Sequence, residues 1–132
     1  MKLLLDTHIW LWARLEPDRL GPKLRRRLSD PANELWLSPI SVWETLVLIE
    51  RGRIEVTTNP VDWLRAALAT GPVRDAPLNR DVAIASRFML DLEHEDPADR
   101  FIAASAQVHG LVLATADQRL LRSKQLETVP NR

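Results

Sequence analysis

Four carboxylates sit among apolar neighbours, where charge is expensive. Asp6 ends the run Lys2-Leu3-Leu4-Leu5, and Glu44 lies inside Ser41-Val42-Trp43-Glu44-Thr45-Leu46-Val47-Leu48-Ile49. Asp99 falls in Asp96-Pro97-Ala98-Asp99-Arg100-Phe101-Ile102-Ala103-Ala104, and Asp117 closes Leu111-Val112-Leu113-Ala114-Thr115-Ala116-Asp117. A charge in such a setting is tolerated when it is paired or bound to a metal. Mg²⁺ and Mn²⁺ prefer carboxylate oxygens and water. Three or four acids around such an ion would lower the pKa of a bound water and stabilise charge on a phosphate. The chemistry expected is hydrolysis at a divalent-cation site, with the number of ions left open.

Each acid also has a purely structural reading. Asp6 and Asp117 each precede a helical stretch and could serve as N-caps that accept backbone N–H bonds. Asp99 lies in a first helical turn, where negative charge complements the helix dipole. Its stripe runs through Ile102, Ala103 and Ala106, which aims it inward. Glu44 has Ile40, Val47 and Leu48 one turn away, and its structural alternative is an ion pair with a distant Arg. Thr115 is placed to orient a carboxylate or a water. Asp96 and Glu95 are outer contributors, with capping the leading role for Asp96.

The elements that would carry these residues are legible. Short, continuously apolar runs near Lys2 to Leu5, Glu34 to Leu37, Pro72 to Ala76 and Leu111 to Thr115, with a weak one at Glu127 to Val129, read as strands buried on both faces. Helices open at Ser38-Pro39, Asn59-Pro60, Asn79 and Asp96-Pro97. The first should end near Gly52, the second near Gly71, and the last at Gly110. The third should cover Val82, Ile84, Ala85, Phe88 and Met89. Strand and helix alternate, so the expectation is an α/β fold: a central parallel sheet flanked by helices. Ligands bind beyond the carboxyl ends of strands in such sheets, where Asp6 and Asp117 fall.

Composition narrows the class further. The chain has 132 residues, enough for a single domain with a continuous core, taken here as residues 1–132. Hydrophobic residues make up 45% and charged residues 27%, an ordinary globular balance. Eighteen basic residues offset eighteen acidic ones, so net charge favours no partner. Without Cys there are no disulfides, thiolate sites or Cys nucleophiles, which fits the cytoplasm. Asp6 interrupts the N-terminal apolar run too early for a signal peptide. No stretch reaches the roughly 20 apolar residues of a membrane helix, so no membrane partner is expected.

These stretches, in this order, resemble PIN-domain nucleases, and specifically the VapC-like toxins of bacterial type II toxin–antitoxin pairs. The resemblance covers nearly the whole chain. It implies a PIN-like three-layer α/β/α fold and metal-dependent endoribonuclease activity, with water attacking an RNA phosphodiester in line. Asp6, Glu44 and Asp99 match the family's core acids and Asp117 the more variable fourth; all four would hold Mg²⁺ or Mn²⁺. Thr7 and Thr115 become outer-shell candidates. His94, Asp96 and Arg100 match a "His-x-Asp-Pro-x-x-Asp-Arg" pattern, with Ala98 where Phe is common. The resemblance further implies an RNA substrate, a homodimer, and a small antitoxin lying against the helices after Asp6 and around Glu44.

Arg100, Arg119 and Arg122 are candidates for phosphate contact, ahead of the basic run Lys23-Leu24-Arg25-Arg26-Arg27, which reads first as a solvated helix face. Most of the tryptophans 10, 12, 36, 43 and 63 should be core, and any exposed pair could anchor a partner peptide. His8 and His94 are minor ligand candidates, and His109 reads as a helix C-terminal residue. Two other functions compete. A haloacid-dehalogenase-like phosphohydrolase also begins with a strand ending in Asp, but it needs a second Asp where His8 stands and a later Lys that is missing between Asp99 and Asp117. A non-catalytic interaction module would keep the acids for folding alone.

Overall fold

The computed structural model describes residues 1–89, 91–93 and 95–132. Five parallel strands form one sheet in the order β3-β2-β1-β4-β5: β1 Lys2–Leu5, β2 Glu34–Leu37, β3 Arg74–Asp75, β4 Val112–Thr115 and β5 Thr128–Pro130. The register pairs Leu4 of β1 with Trp36 of β2 and with Leu113 of β4. Among the described residues the connecting α-helices are α1 Thr7–Leu15, α2 Pro22–Ser29, α3 Pro39–Glu50, α4 Pro60–Ala69, α5 Arg80–Ala85, α6 Pro97–His109 and α7 Gln118–Leu121, with a short 3-10 turn at Pro17–Arg19.

Strand alternation divides the core in two. Leu3, Leu5 and Leu37 point to one face and pack with Ile9, Trp10, Leu24 and Leu64 from α1, α2 and α4. Leu4 and Leu113 point to the other, against Met89, Ile102, Ala103 and Leu120. Helices on both faces leave no polar side for β1, which explains a run of three leucines rather than alternation. Burying each leucine fully contributes about 1.5–3 kcal/mol. This is the α/β/α arrangement expected.

Helix boundaries follow their caps. Ser38, Asn59, Asn79 and Asp96 each accept a backbone N–H in the first turn of α3, α4, α5 and α6. Gly110 ends α6 with φ +65°, a left-handed conformation that favours glycine. Gly71 follows α4 with φ +72°, and a Cβ there would come 2.5 Å from the Arg14 guanidinium, which donates to the Gly71 carbonyl.

Two expectations are corrected. Helix α5 stops at Ala85 instead of reaching Met89. The turn tightens as Arg87 and Phe88 bond back three residues, and Arg100 takes the Ser86 carbonyl at 3.0 Å. Ile84 and Phe88 consequently stay 61% and 66% exposed, while Val82 and Met89 enter the core. The strand expected from Pro72 to Ala76 shrinks to Arg74–Asp75, an edge pairing only with β2.

Candidate metal and active site

Asp6 leaves β1 at its carboxyl end and caps α1. Its Oδ1 accepts from the Thr7 backbone N–H at 2.9 Å, and its Oδ2 accepts from the Thr115 hydroxyl at 2.6 Å. Thr115 ends the neighbouring strand β4 and is itself held by the Asp117 N–H at 3.0 Å. The capping role is therefore real, yet each carboxylate oxygen keeps a second lone pair for another partner.

Glu44 comes from α3 on the other side. Its Oε1 accepts from the Thr7 hydroxyl at 2.6 Å, and Thr7 Oγ1 also lies 2.8 Å from Ser41 Oγ. A hydroxyl carries one hydrogen. The carboxylate is the stronger acceptor, so Thr7 donates to Glu44 and Ser41 donates to Thr7. Thr7, Ser41 and Thr115 are all buried. Three hydroxyls and two backbone amides thus fix Asp6 and Glu44 from beneath.

Electrostatics show what this costs. Burial raises the Asp6 carboxyl above its ordinary range; the Thr115 hydroxyl, the Thr7 N–H and His8 oppose the rise, and the Asp117 charge adds to it. Burial likewise raises Glu44, with the Thr7 hydroxyl opposing and the charges of Asp96 and Asp6 adding. The acids feel one another as like charges, the arrangement a divalent cation relieves.

Asp6, Glu44, Asp96, Asp99 and Asp117 line one open cleft of about 360 Å³, together with Thr7, His8, Trp12 and Ala116. The four acids singled out in the sequence line it together, with Asp96 beside them. Asp99 sits half-buried in the first turn of α6, beside Asp96, which caps that helix through Ala98 N–H at 2.9 Å. Asp117 caps α7 through Arg119 N–H at 2.8 Å and pairs with Arg119 Nε at 3.8 Å. Among the described residues no three acids or histidines close into a finished liganding group. An all-oxygen donor set, in which burial raises Asp6 and Glu44, fits a hard dication.

Other candidates fall elsewhere. The Arg100 guanidinium does not line the cleft; it donates to the carbonyls of Ser86 at 3.0 Å and Leu92 at 3.1 Å and so braces the segment before α6. Arg119 is engaged with Asp117, and Arg122 lines a separate groove beside Pro130 and Arg132. Lys23, Arg25 and Arg26 are exposed on α2, the solvated face expected. His94 lies outside the described residues. His109 bonds the Pro77 carbonyl at 2.9 Å in the last turn of α6. Trp10 is core, Trp12, Trp36 and Trp63 are partly buried, and Trp43 is 57% exposed.

Ser41 was missed by sequence reasoning. Its signal was present: it stands three residues before Glu44, on the same helical face, and Thr45 follows it by one turn. The face of α3 carrying Glu44 is thus a buried hydroxyl stripe rather than the apolar surface expected.

A sequence model of the PIN domain matches residues 3–125. The chain belongs to the PIN-domain family. It is 34% identical over 118 residues to Ribonuclease VapC22 of Mycobacterium tuberculosis, covering 89% of this chain and 88% of that protein. Its fold is similar to that of a chain in VapBC2 from Rickettsia felis bound to promoter DNA, with a TM-score of 0.72, 17% identity and 98% of each chain covered. A toxin–antitoxin complex from Klebsiella pneumoniae contains another such chain, with a TM-score of 0.69, 21% identity and 98% of each covered.

Proposed function

We propose that this chain is a Mg²⁺- or Mn²⁺-dependent endoribonuclease toxin, neutralised by a cognate antitoxin and acting in the cytoplasm. The observation that carries the reading is the convergence of Asp6, Glu44, Asp99 and Asp117 in one cleft at the carboxyl edge of a parallel sheet. These four would hold the ion, which when bound supplies water activation and neutralises charge on the phosphodiester. The Thr115 hydroxyl favours the charged form of Asp6 and aims it, and the Thr7 hydroxyl does the same for Glu44, each against the opposing effect of burial. Asp96 adds negative charge at the rim while capping α6. The likeness to a curated ribonuclease over most of both chains supports RNA as the substrate.

The partners follow from exposed apolar side chains. Trp43, next to Glu44 on α3, is the anchor proposed for the antitoxin, and Ile84 with Phe88 supplies surface for a second copy of the chain. No helix of the described residues is long and apolar enough to cross a membrane. The phosphohydrolase alternative loses ground, because two residues after Asp6 the cleft holds His8 rather than the second Asp that class needs.

Incubation of RNA with the protein and Mn²⁺ tests the reading. Wild type should cut internal bonds, while Asp6→Asn, folded by circular dichroism, should not. Hydrolysis of a phosphomonoester in place of RNA would overturn it, and a protein that binds no ion and cuts neither would leave the interaction-module reading.

A further inference from the structure

The acid cleft has a second wall that metal binding does not use. His8 and Trp12 lie one turn apart on α1, their rings 5.9 Å apart and tilted by 53°. The Arg19 guanidinium sits 4.4 Å over the Trp12 ring. Both rings line the acid cleft, and both also line an adjoining groove of about 240 Å³ that holds Arg19 and Arg53. The rings therefore form the lip between two depressions of opposite charge: carboxylates on one side, guanidiniums on the other.

We propose that this lip is a nucleotide subsite, taking one base of a single-stranded RNA beside the scissile phosphate; the inference rests on the ribonuclease reading. A strand crossing the lip finds in sequence what a nucleotide needs. The scissile phosphate faces the acids and their cation. The next base meets the exposed His8 imidazole and the Trp12 ring, since every base has a π-face that stacks on an aromatic side chain. The following phosphate reaches Arg19 and Arg53, where it displaces counterions. The Arg19 pairing with Glu16, 3.4 Å and exposed on both sides, orients the guanidinium without neutralising it for a doubly accepting phosphate. Two guanidiniums, Arg19 and Arg53, outweigh the one carboxylate of Glu16 in a groove otherwise lined by Leu11, Leu15, Leu48 and Ile54, and that net positive charge suits a phosphate backbone better than an apolar peptide.

The test uses the full chain with Mn²⁺ and short fluorescein-labelled RNA oligonucleotides, comparing wild type, Trp12→Leu and the exposed-site variant His8→Ala. Loss of a stacking base costs about five- to a hundredfold in affinity. KM should rise by that factor in both variants, with kcat falling far less and Mn²⁺ affinity by calorimetry retained. An oligonucleotide made abasic at the stacked position should show the same loss in wild type and little further loss in the variants. His8→Ala keeps the test decisive if Trp12→Leu misfolds. Unchanged KM in a folded variant overturns the subsite, and so does lost affinity for an antitoxin peptide with RNA cleavage intact. If wild type cuts no RNA, the ribonuclease reading fails separately. Fluorescence anisotropy then decides the subsite: wild-type RNA binding weakened in both variants upholds it, and absence of binding overturns it.

Discussion

Thr7→Val isolates the hydroxyl chain beneath Glu44. The substitution keeps the β-branched shape at a buried position and deletes the donor that lies 2.6 Å from Glu44 Oε1. A hydrogen bond to a charged group contributes about 1.5–3 kcal/mol, and a neutral one about 0.5–1.5 kcal/mol. Glu44 is partly exposed, so water replaces some of the loss, and about 1–2 kcal/mol is expected at pH 8. For a chain of this length that lowers Tm by roughly 3–10 °C. The pH dependence carries the sign. The Glu44 carboxyl is already raised by burial, and removing its donor raises it further. A carboxyl raised in the folded state contributes stability that is full below its unfolded pKa and lost as pH rises through the folded pKa. The gap between wild type and variant must therefore widen from pH 4.5 to pH 8. Urea melts at both values in a chelator measure it. A gap of equal size at the two pH values would refute the assignment of the Thr7 proton to Glu44 and leave only a packing defect.

Three further outcomes follow from the same geometry. Asp6→Asn removes a buried charge, so metal-free Tm at pH 8 should hold or rise, whereas RNA cleavage should fall by more than the ~10–100-fold typical of an outer-shell loss, read by gel assay. Mn²⁺ at a hundred times its Kd should stabilise wild type by about 2.7 kcal/mol. At one fixed Mn²⁺ concentration the gain should grow as pH rises, because Asp6 and Glu44 must shed protons to bind, and scanning calorimetry from pH 5 to 8 checks the trend. Gly110→Ala places a side chain at φ +65° in open space, so it should cost about 1 kcal/mol by urea melt and leave kcat unchanged.

The sequence reported elements wherever local chemistry decides structure. Asp96-Pro97 and Gly110 bracket α6 as expected because an N-cap, a first-turn Pro and a left-handed glycine act within a few residues. The leucines of β1 announced burial on both faces for the same reason. What escaped depends on residues far apart in the chain. Ser41 matters only because folding sets it 2.8 Å from Thr7, 34 positions away. Phe88 carries a helical core pattern, yet α5 ends early once Arg100 reaches across to the Ser86 carbonyl. Arg100 itself resembled a phosphate ligand in type and position. Only the path of the backbone before α6 shows its guanidinium engaged by carbonyls.

Strand order explains why the acids meet at all. From β1 the chain builds outward through β2 and β3 on one side, then returns to lay β4 and β5 on the other. The reversal leaves a crevice at the carboxyl ends of β1 and β4, because the helices following them diverge to opposite faces. Asp6 and Asp117 stand at those two ends, one residue past β1 and two past β4, and Thr115 ties the first to the segment bearing the second. Glu44 enters from α3, after the neighbouring strand β2, and Asp99 from the N-terminal turn of α6, the helix that leads into β4. Each acid is thus supplied by an element adjoining the reversal. On α3 and α6, shifting Glu44 or Asp99 by one residue would rotate it about 100° away from the cleft. Burial, with the charges of neighbouring acids adding to it, raises Asp6 and Glu44, and under the proposed reading a bound dication would offset that cost.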